Sequence, residues 1–392
     1  MSEEGHEPHS VRELLTEMKN TSDWMIDLAR AALLFESEEI AGHVRNFERR
    51  MDELMYQIRT IAAVAARNVE EARSITSILQ VASAAEAISN SAGDMVDLVL
   101  RRMEIHPTIR EAALLTDEKL ANLRVEEGSA LANRTLLDLE LPSRIGVRIL
   151  AVKRGKEWIV PPIASTELRA GDELVVKGPK DGLGVLCKMT GCPKLEFRGR
   201  GHLPKIGRKL SEMYDFSGMM VDMAYSSILL RSKEIAEEVR KLEEKFDKLN
   251  YSLWLETLKA AKVERNVRRL NSLLQVIKCL ERISDAADSM ADVVLRGMEL
   301  HPVFAEAIAE ADEQVARVKV SERSRLVGKT LRELNLEMSI GVDVIMIERG
   351  KRYIFNPSGM KKLRAGDSLV VRGTYFGIQR LREACGNGGG ES

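Results

Sequence analysis

The chain has 392 residues, with 59 basic and 60 acidic side chains and a formal net charge of -1. It therefore has no global basic field to gather nucleic acid, and it shows neither finger spacing nor an RNP-like aromatic pattern. Its 44% apolar and 30% charged content marks a soluble globular protein, and no run approaches the roughly 20 apolar residues of a membrane span.

The acidic start, MSEEGHEPHS, is not a signal peptide. From Val11 to about Leu123 apolar residues recur every three or four positions, which predicts amphipathic helices. Leu14, Leu15, Met18, Met25, Leu28, Ala32 and Phe35 form the first stripe. Ile40, Val44, Phe47, Met51, Leu54, Ile58 and Ile61 form the second, behind the N-cap candidate Ser37. A third helix is predicted from about Val69 to Glu104, ended by His106-Pro107, and a shorter fourth over Ile109 to Asn122. Long helices with short connections predict an antiparallel bundle.

The period then changes to two. Gly146 to Val152, Arg154-Gly155 and Trp158 to Val160 predict a β-hairpin. Leu174 to Gly178 predicts another strand, flanked by helical stretches at Thr135 to Leu139 and Gly182 to Met189. The four cysteines include one local pair, Cys187 and Cys192. Two thiols make a poor zinc site, and a reduced cytoplasmic protein is expected. No Ser or Cys sits in a nucleophile elbow or beside a His motif, so no enzymatic activity is expected.

The whole pattern occurs twice. His106-Pro107 and His301-Pro302 lie 195 positions apart, and the same offset relates Leu168 to Asp172 with Leu363 to Asp367. The expected organisation is a bundle over 1–123, an αβ domain over 124–190, a basic linker over 191–205, a second bundle over 206–319, a second αβ domain over 320–385 and a disordered tail over 386–392. Fusing two copies makes their encounter intramolecular, so the αβ domains are expected to pack on each other about a pseudo-twofold axis.

Two groups of residues are candidate sites. Glu281, Asp285, Asp288 and Asp292 follow steps of four, three and four and share one helical face. With Glu243 and Asp247 on a neighbouring helix, such a row suits a divalent metal with oxygen ligands. It serves equally as a solvated acidic face. Glu48, Asp52 and Glu86 are the weaker counterparts in the first copy, where Asn90 and Gly93 replace Asp285 and Asp288. The second group is the strand Gly341 to Ile347, read as an edge, with its counterpart around Arg148. Val147, Arg148, Ile149, Val342, Asp343 and Val344, with Asn356 on the following turn, are candidate small-ligand contacts. The valines serve equally as core. Arg148 and Asp343 occupy equivalent positions with opposite charge, which suits two groups that meet or bracket one ligand.

The helical halves resemble PhoU domains, through Glu48-Arg-Arg-Met-Asp52 and Glu243-Glu-Lys-Phe-Asp247, and through Glu281-Arg-Ile-Ser-Asp285 with the imperfect Glu86-Ala-Ile-Ser-Asn90. The αβ halves resemble the TrkA C-terminal domain, also called the RCK C-terminal domain. That likeness rests on Leu326 to Leu334, Gly341 to Ile347 with Arg349-Gly350, Leu363-Arg-Ala-Gly-Asp367 and Val370 to Gly373. The order is similar to a soluble archaeal family associated with potassium transport. The resemblance implies a regulator of a membrane cation transporter or channel subunit, dimerisation through the αβ halves with a further homodimer open, and peripheral attachment to the inner membrane face through the partner. It further implies cyclic di-AMP as a ligand and iron or zinc in the acidic rows. The nucleotide-binding half that usually precedes such αβ domains is missing, since Gly182-Leu-Gly184 is only a G-x-G. A metal-containing, phosphate-responsive regulator is the alternative that the PhoU likeness implies.

Overall fold

The computed structural model describes residues 10–192, 195, 197, 201–262, 264, 266–350 and 352–386. The acidic start before Ser10, part of the expected linker and the expected tail from 387 onward lie outside the described residues.

Three long helices open each copy: α1 (Val11–Phe35), α2 (Glu38–Ala65) and α3 (Val69–Leu100). Ser10 and Glu13 form a capping box on α1, and the Ser37 hydroxyl accepts the Ile40 N–H at the start of α2. Each such cap contributes about 1 kcal/mol by satisfying an N–H that the first turn leaves unbonded. Helix α4 (Pro107–Leu115) follows, then β1 (Lys119–Arg124), β2 (Arg134–Thr135), α5 (Leu136–Leu139) and α6 (Leu141–Ile145). The first copy ends with β3 (Arg148–Arg154), β4 (Glu157–Ile159), β5 (Glu167–Leu168), β6 (Glu173–Gly178) and α7 (Lys180–Thr190). The second copy repeats the order with α8 (Pro204–Leu230), α9 (Lys233–Ala260), α10 (Val267–Leu295), α11 (Val303–Glu310) and β7 (Gln314–Lys319). It closes with α12 (Leu331–Leu334), α13 (Leu336–Ile340), β8 (Val342–Arg349), β9 (Arg352–Phe355), β10 (Ser368–Gly373) and α14 (Tyr375–Ala384). Among the described residues no helix is long and apolar enough to cross a membrane.

Each αβ domain is built on a four-stranded antiparallel sheet, ordered β1-β6-β3-β4 in the first copy and β7-β10-β8-β9 in the second. One face covers its own short helices, burying Val147, Ile149 and Val152 in the first domain. The other face, including Leu150 and Ala151, joins a core continuous across both bundles. A register shift between Ile149 and Ala151 breaks the alternation and puts the consecutive Leu150 and Ala151 on that same face. Strands buried on both faces read as unbroken apolar runs, as β3 does. The Leu-Arg-Ala-Gly-Asp repeat is a structural turn. Asp172 is buried and accepts two bonds from Arg154, at 2.9 and 2.8 Å, and Asp367 does the same with Arg349 at 2.8 and 2.7 Å.

Several boundaries differ from the sequence reading. The fourth helix stops at Leu115, and residues 119–124 are a strand paired with β6. The αβ domain therefore begins before residue 124, and β7 places its counterpart start before 320. Leu120 and Leu123 fit a helical period as well as a strand; the sheet decides between them. Helix α3 ends at Leu100, and the His106 ring accepts the Thr108 N–H to cap the start of α4. The His301 ring does the same for the Val303 N–H at 3.2 Å. Helix α8 begins at Pro204, inside the expected linker, because proline suits a first turn whose N–H has no partner. Strand β8, read as an edge, lies between β10 and β9, which leaves β7 and β9 at the edges.

Helices α6 and α13 pack against each other. Gly146 and Gly341 both have left-handed φ, at 65°. A side chain on Gly341 would collide with the Pro142 carbonyl, and one on Gly146 with the Glu337 carbonyl. Positions 142 and 337 are themselves equivalent, so the contact is reciprocal.

Candidate ligand site between the repeats

Charges from all four domains meet where the αβ pair sits on the bundles. Lys177 on β6 lies 3.0 Å from Asp27 on α1 and 2.8 Å from Glu118. Arg372 on β10, at the equivalent position, lies 2.6 Å from Asp222 on α8, 3.7 Å from Glu313 and 3.8 Å from Glu118 of the other copy. Burial alone would lower the Lys177 ammonium, but Asp27 and Glu118 hold it above the ordinary lysine range. Burial alone would raise Glu313, but Arg372, Arg148 and Lys177 hold it well below the ordinary carboxylate range.

The two halves then diverge. In one, the Arg148 guanidinium lies 4.4 Å from the Trp24 ring centre, 3.3 Å from Glu313 and 3.7 Å from Asp312. In the other, the equivalent positions carry Asp343, Met219, Glu118 and Asp117. No guanidinium stands at the position equivalent to Arg148 in that half. It opens instead into a cavity of about 740 Å³ lined by Asp117, Asp215, Glu337, Asp343, Asn356 and Met219, among others. Burial, then Glu118 and Asp343, push the Glu337 carboxyl up to about 7. Burial and Asp117 push Asp215 up to about 6, and burial, against the opposing pull of Arg372, also raises Asp343.

Of the expected ligand residues, Asp343, Val344 and Asn356 line this cavity. Asn356 has a left-handed φ of 40° and donates its N–H to Ile345. Arg148 and Asp343 both line a smaller neighbouring space of about 70 Å³. The ion-pair partners of Arg148 are Asp312 and Glu313, rather than Asp343. Val147, Ile149 and Val342 belong to the αβ cores. Sequence reasoning missed Asp27, Glu118, Lys177, Asp222, Glu313 and Arg372. Their signal was present, since each position keeps its charge across the 195-residue offset.

The acidic rows lie elsewhere, on the outer faces of the bundles, and arginines bridge them. Arg240 reaches Asp292 at 2.9 Å and Asp288 at 3.3 Å, and Arg296 also pairs with Asp292. In the first copy Arg45 pairs with Glu48 and Asp97, and Arg59 reaches Glu86 at 3.1 Å. Burial and the neighbouring Asp247, Asp288 and Asp285 push Glu243 up to about 7. Burial likewise raises Glu281, with Asp285 and Asp247 adding to it. Among the described residues no three His, Cys, Asp or Glu side chains converge to hold a metal ion. Of the row formed by Glu243, Asp247, Glu281, Asp285, Asp288 and Asp292, arginine holds Asp288 and Asp292, and of Glu48, Asp52 and Glu86 in the first copy it holds Glu48 and Glu86.

The PhoU domain model matches residues 15–99 and 210–294, and the TrkA-C domain model matches 120–191 and 315–386. The chain is 41% identical over 61 residues to the Ktr system potassium uptake protein C of Bacillus subtilis, covering 16% of this chain and 28% of that protein. It is 40% identical over 83 residues to the Ktr system potassium uptake protein A of Vibrio alginolyticus, covering 21% and 34%. An uncharacterised transporter of Synechocystis is 33% identical over 109 residues, covering 26% and 18%. All three matches span well under two thirds of the relatives' own lengths. Among solved structures, the phosphate transport system regulatory protein PhoU of Streptococcus pneumoniae is similar at 14% identity and a TM-score of 0.42, over 74% of this chain and 97% of that one.

Proposed function

The chain belongs to the proteins that carry PhoU and TrkA-C domains in tandem, and from that premise we propose that it is a regulatory, ligand-sensing partner of a membrane potassium transporter or channel. The observation that carries this reading is the cavity at the junction of all four domains. A ligand bound there touches α1, α8 and both sheets at once. It can therefore bias how the αβ pair sits on the bundles, by as much as its affinity differs between the two arrangements. The potassium link is supported by the partial likeness of the chain to the two Ktr proteins. The bundles offer long outer helices as the docking surface for a membrane partner.

Cyclic di-AMP would bring two negative charges against Asp117, Asp215, Glu337 and Asp343, an environment that suits a cation better. The acidic rows favour no second, metal-centred reading, because Arg45 and Arg240 already neutralise them in part.

The test is rubidium uptake, as a potassium surrogate, in cells lacking the gene, complemented with the parent chain or with Arg372→Ala. The parent should restore the potassium dependence of uptake and the variant should not. Uptake identical with and without the gene, across limiting and excess potassium, would sink the transport role.

A further inference from the structure

The repeat provides an internal comparison for the cavity. On the closed side, Asp312 and Glu313 share the guanidinium of Arg148, which is stacked on Trp24, and the Trp24 indole N–H donates to Asp312 at 3.2 Å. On the open side, Asp117 and Glu118 stand in the equivalent positions. There Asp343 replaces the guanidinium with a further carboxylate, and Met219 replaces the indole. The cations that line the open side already have partners, and Lys177 and Arg372 share Glu118 of that side. Lys177 is held by Asp27 and Glu118, and Arg372 by Asp222 and Glu313. Arg30 donates to Thr116 at 3.0 Å and lies over the Tyr214 ring, leaving its buried Nε without a partner. Arg208 donates to the Pro204 carbonyl.

We infer that the cavity binds a small organic cation whose guanidinium or ammonium group takes, beside Asp117, Glu118 and Asp343, the place that Arg148 takes beside Asp312 and Glu313. Size and wall chemistry select an organic ligand over a bare ion. A volume of about 740 Å³ is roughly that of twenty-five water molecules at about 30 Å³ each. Ile26, Met219, Val221, Val344 and Ile345 supply apolar wall for a carbon chain. Asn356 offers a polar side chain to the ligand's far end. No group of metal-ligating side chains converges among the described residues. This inference concerns the cavity on which the sensing role rests, but binding and transport are measured separately and can fail separately.

The experiment is calorimetric titration and thermal melting of the full chain with agmatine and with spermidine, set against Mg²⁺, K⁺ and cyclic di-AMP. One amine should bind at one equivalent per chain and raise the melting temperature. Asp343→Arg supplies the missing guanidinium within the chain. It should raise the melting temperature without ligand and abolish amine binding. If that variant does not fold, Asp343→Asn combined with Glu337→Gln should weaken amine binding at least tenfold. Failure of both amines to bind would overturn the inference. So would amine binding undiminished in the variants, or a shift with Mg²⁺, K⁺ or cyclic di-AMP where the amines give none.

Discussion

The two sides of the inter-repeat axis share a charge framework and differ in what completes it. Asp27, Glu118 and Lys177 of the first copy match Asp222, Glu313 and Arg372 of the second. Onto this framework one side adds Arg148 over Trp24, and the other adds Asp343 and an open cavity. In a homodimer of identical chains the two sides would have to change together. Joining the copies in one chain frees them to diverge, so that one side becomes a fixed brace while the other stays open to a ligand.

The comparison breaks most severely if the shared framework is removed. Arg372→Ala strands Asp222 and Glu313 in a half-buried site, and losing one partner of such a pair costs about 3–5 kcal/mol. Denaturant unfolding should show that loss, and an unchanged midpoint would mean that the cluster contributes little. The next largest effect comes from the brace alone. Arg148→Ala removes an ion pair and a stacked cation, and an aromatic contact of this kind contributes up to about 2 kcal/mol when desolvated. A loss of about 2 kcal/mol is expected, whereas Asp343→Ala at the equivalent position should be neutral or stabilising, because it removes like-charge repulsion. Equal losses from both substitutions would erase the distinction between the sides.

Much of this was legible in the sequence, in an order set by locality. Helical stripes such as Leu14 to Phe35 report local periodicity, and the 195-residue offset reports duplication directly. Strands β1 and β7 were not legible, because Leu120 and Leu123, like Val315 and Val318, lie three apart, which fits a helix, and only pairing with β6 and β10 puts them on opposite faces of a strand. The inner position of β8 was hidden for the same reason. Arg148 and Asp343 were visible as a sign reversal at equivalent positions, while their surroundings were not. Asp27 and Lys177 are 150 residues apart, and only the fold brings them to 3.0 Å.

A smaller effect separates the open side by its response to pH. The Glu337 carboxyl, pushed up to about 7, binds its proton more tightly in the folded chain than in the unfolded one, where its ordinary value is 4.5. Its contribution to stability is thus fully present below about 4.5 and is lost as pH rises through about 7. Asp215, at about 6, acts in the same direction over a narrower window. Stability measured by urea unfolding should therefore carry a falling component between pH 4.5 and 7, and Glu337→Gln should flatten it. A slope identical in the variant would place this component in other groups.

The smallest expected effect lies outside the axis, in the acidic rows, where the copies also differ. Gly93 in the first copy leaves room for the Glu48 carboxylate against α3, so Arg45 pairs with Glu48 and Asp97. In the second copy Asp288 occupies the position of Gly93, and Arg240 pairs with Asp288 in place of the Glu48 counterpart while keeping Asp292, the counterpart of Asp97. The arginine keeps its place and its partner at the equivalent positions Asp97 and Asp292, while the second acid changes from Glu48 to Asp288, as expected of a surface row that needs one cation and tolerates a change in the acids that share it. Arg240 is 43% exposed in its side chain, and exposed ion pairs contribute about 0–1 kcal/mol. Arg240→Ala should therefore cost no more than about 1 kcal/mol in urea unfolding and should lose that cost at high salt. A loss several times larger that salt does not reduce would mean that the row is held far more tightly than a solvated face requires, and would reopen it as a site for a bound cation.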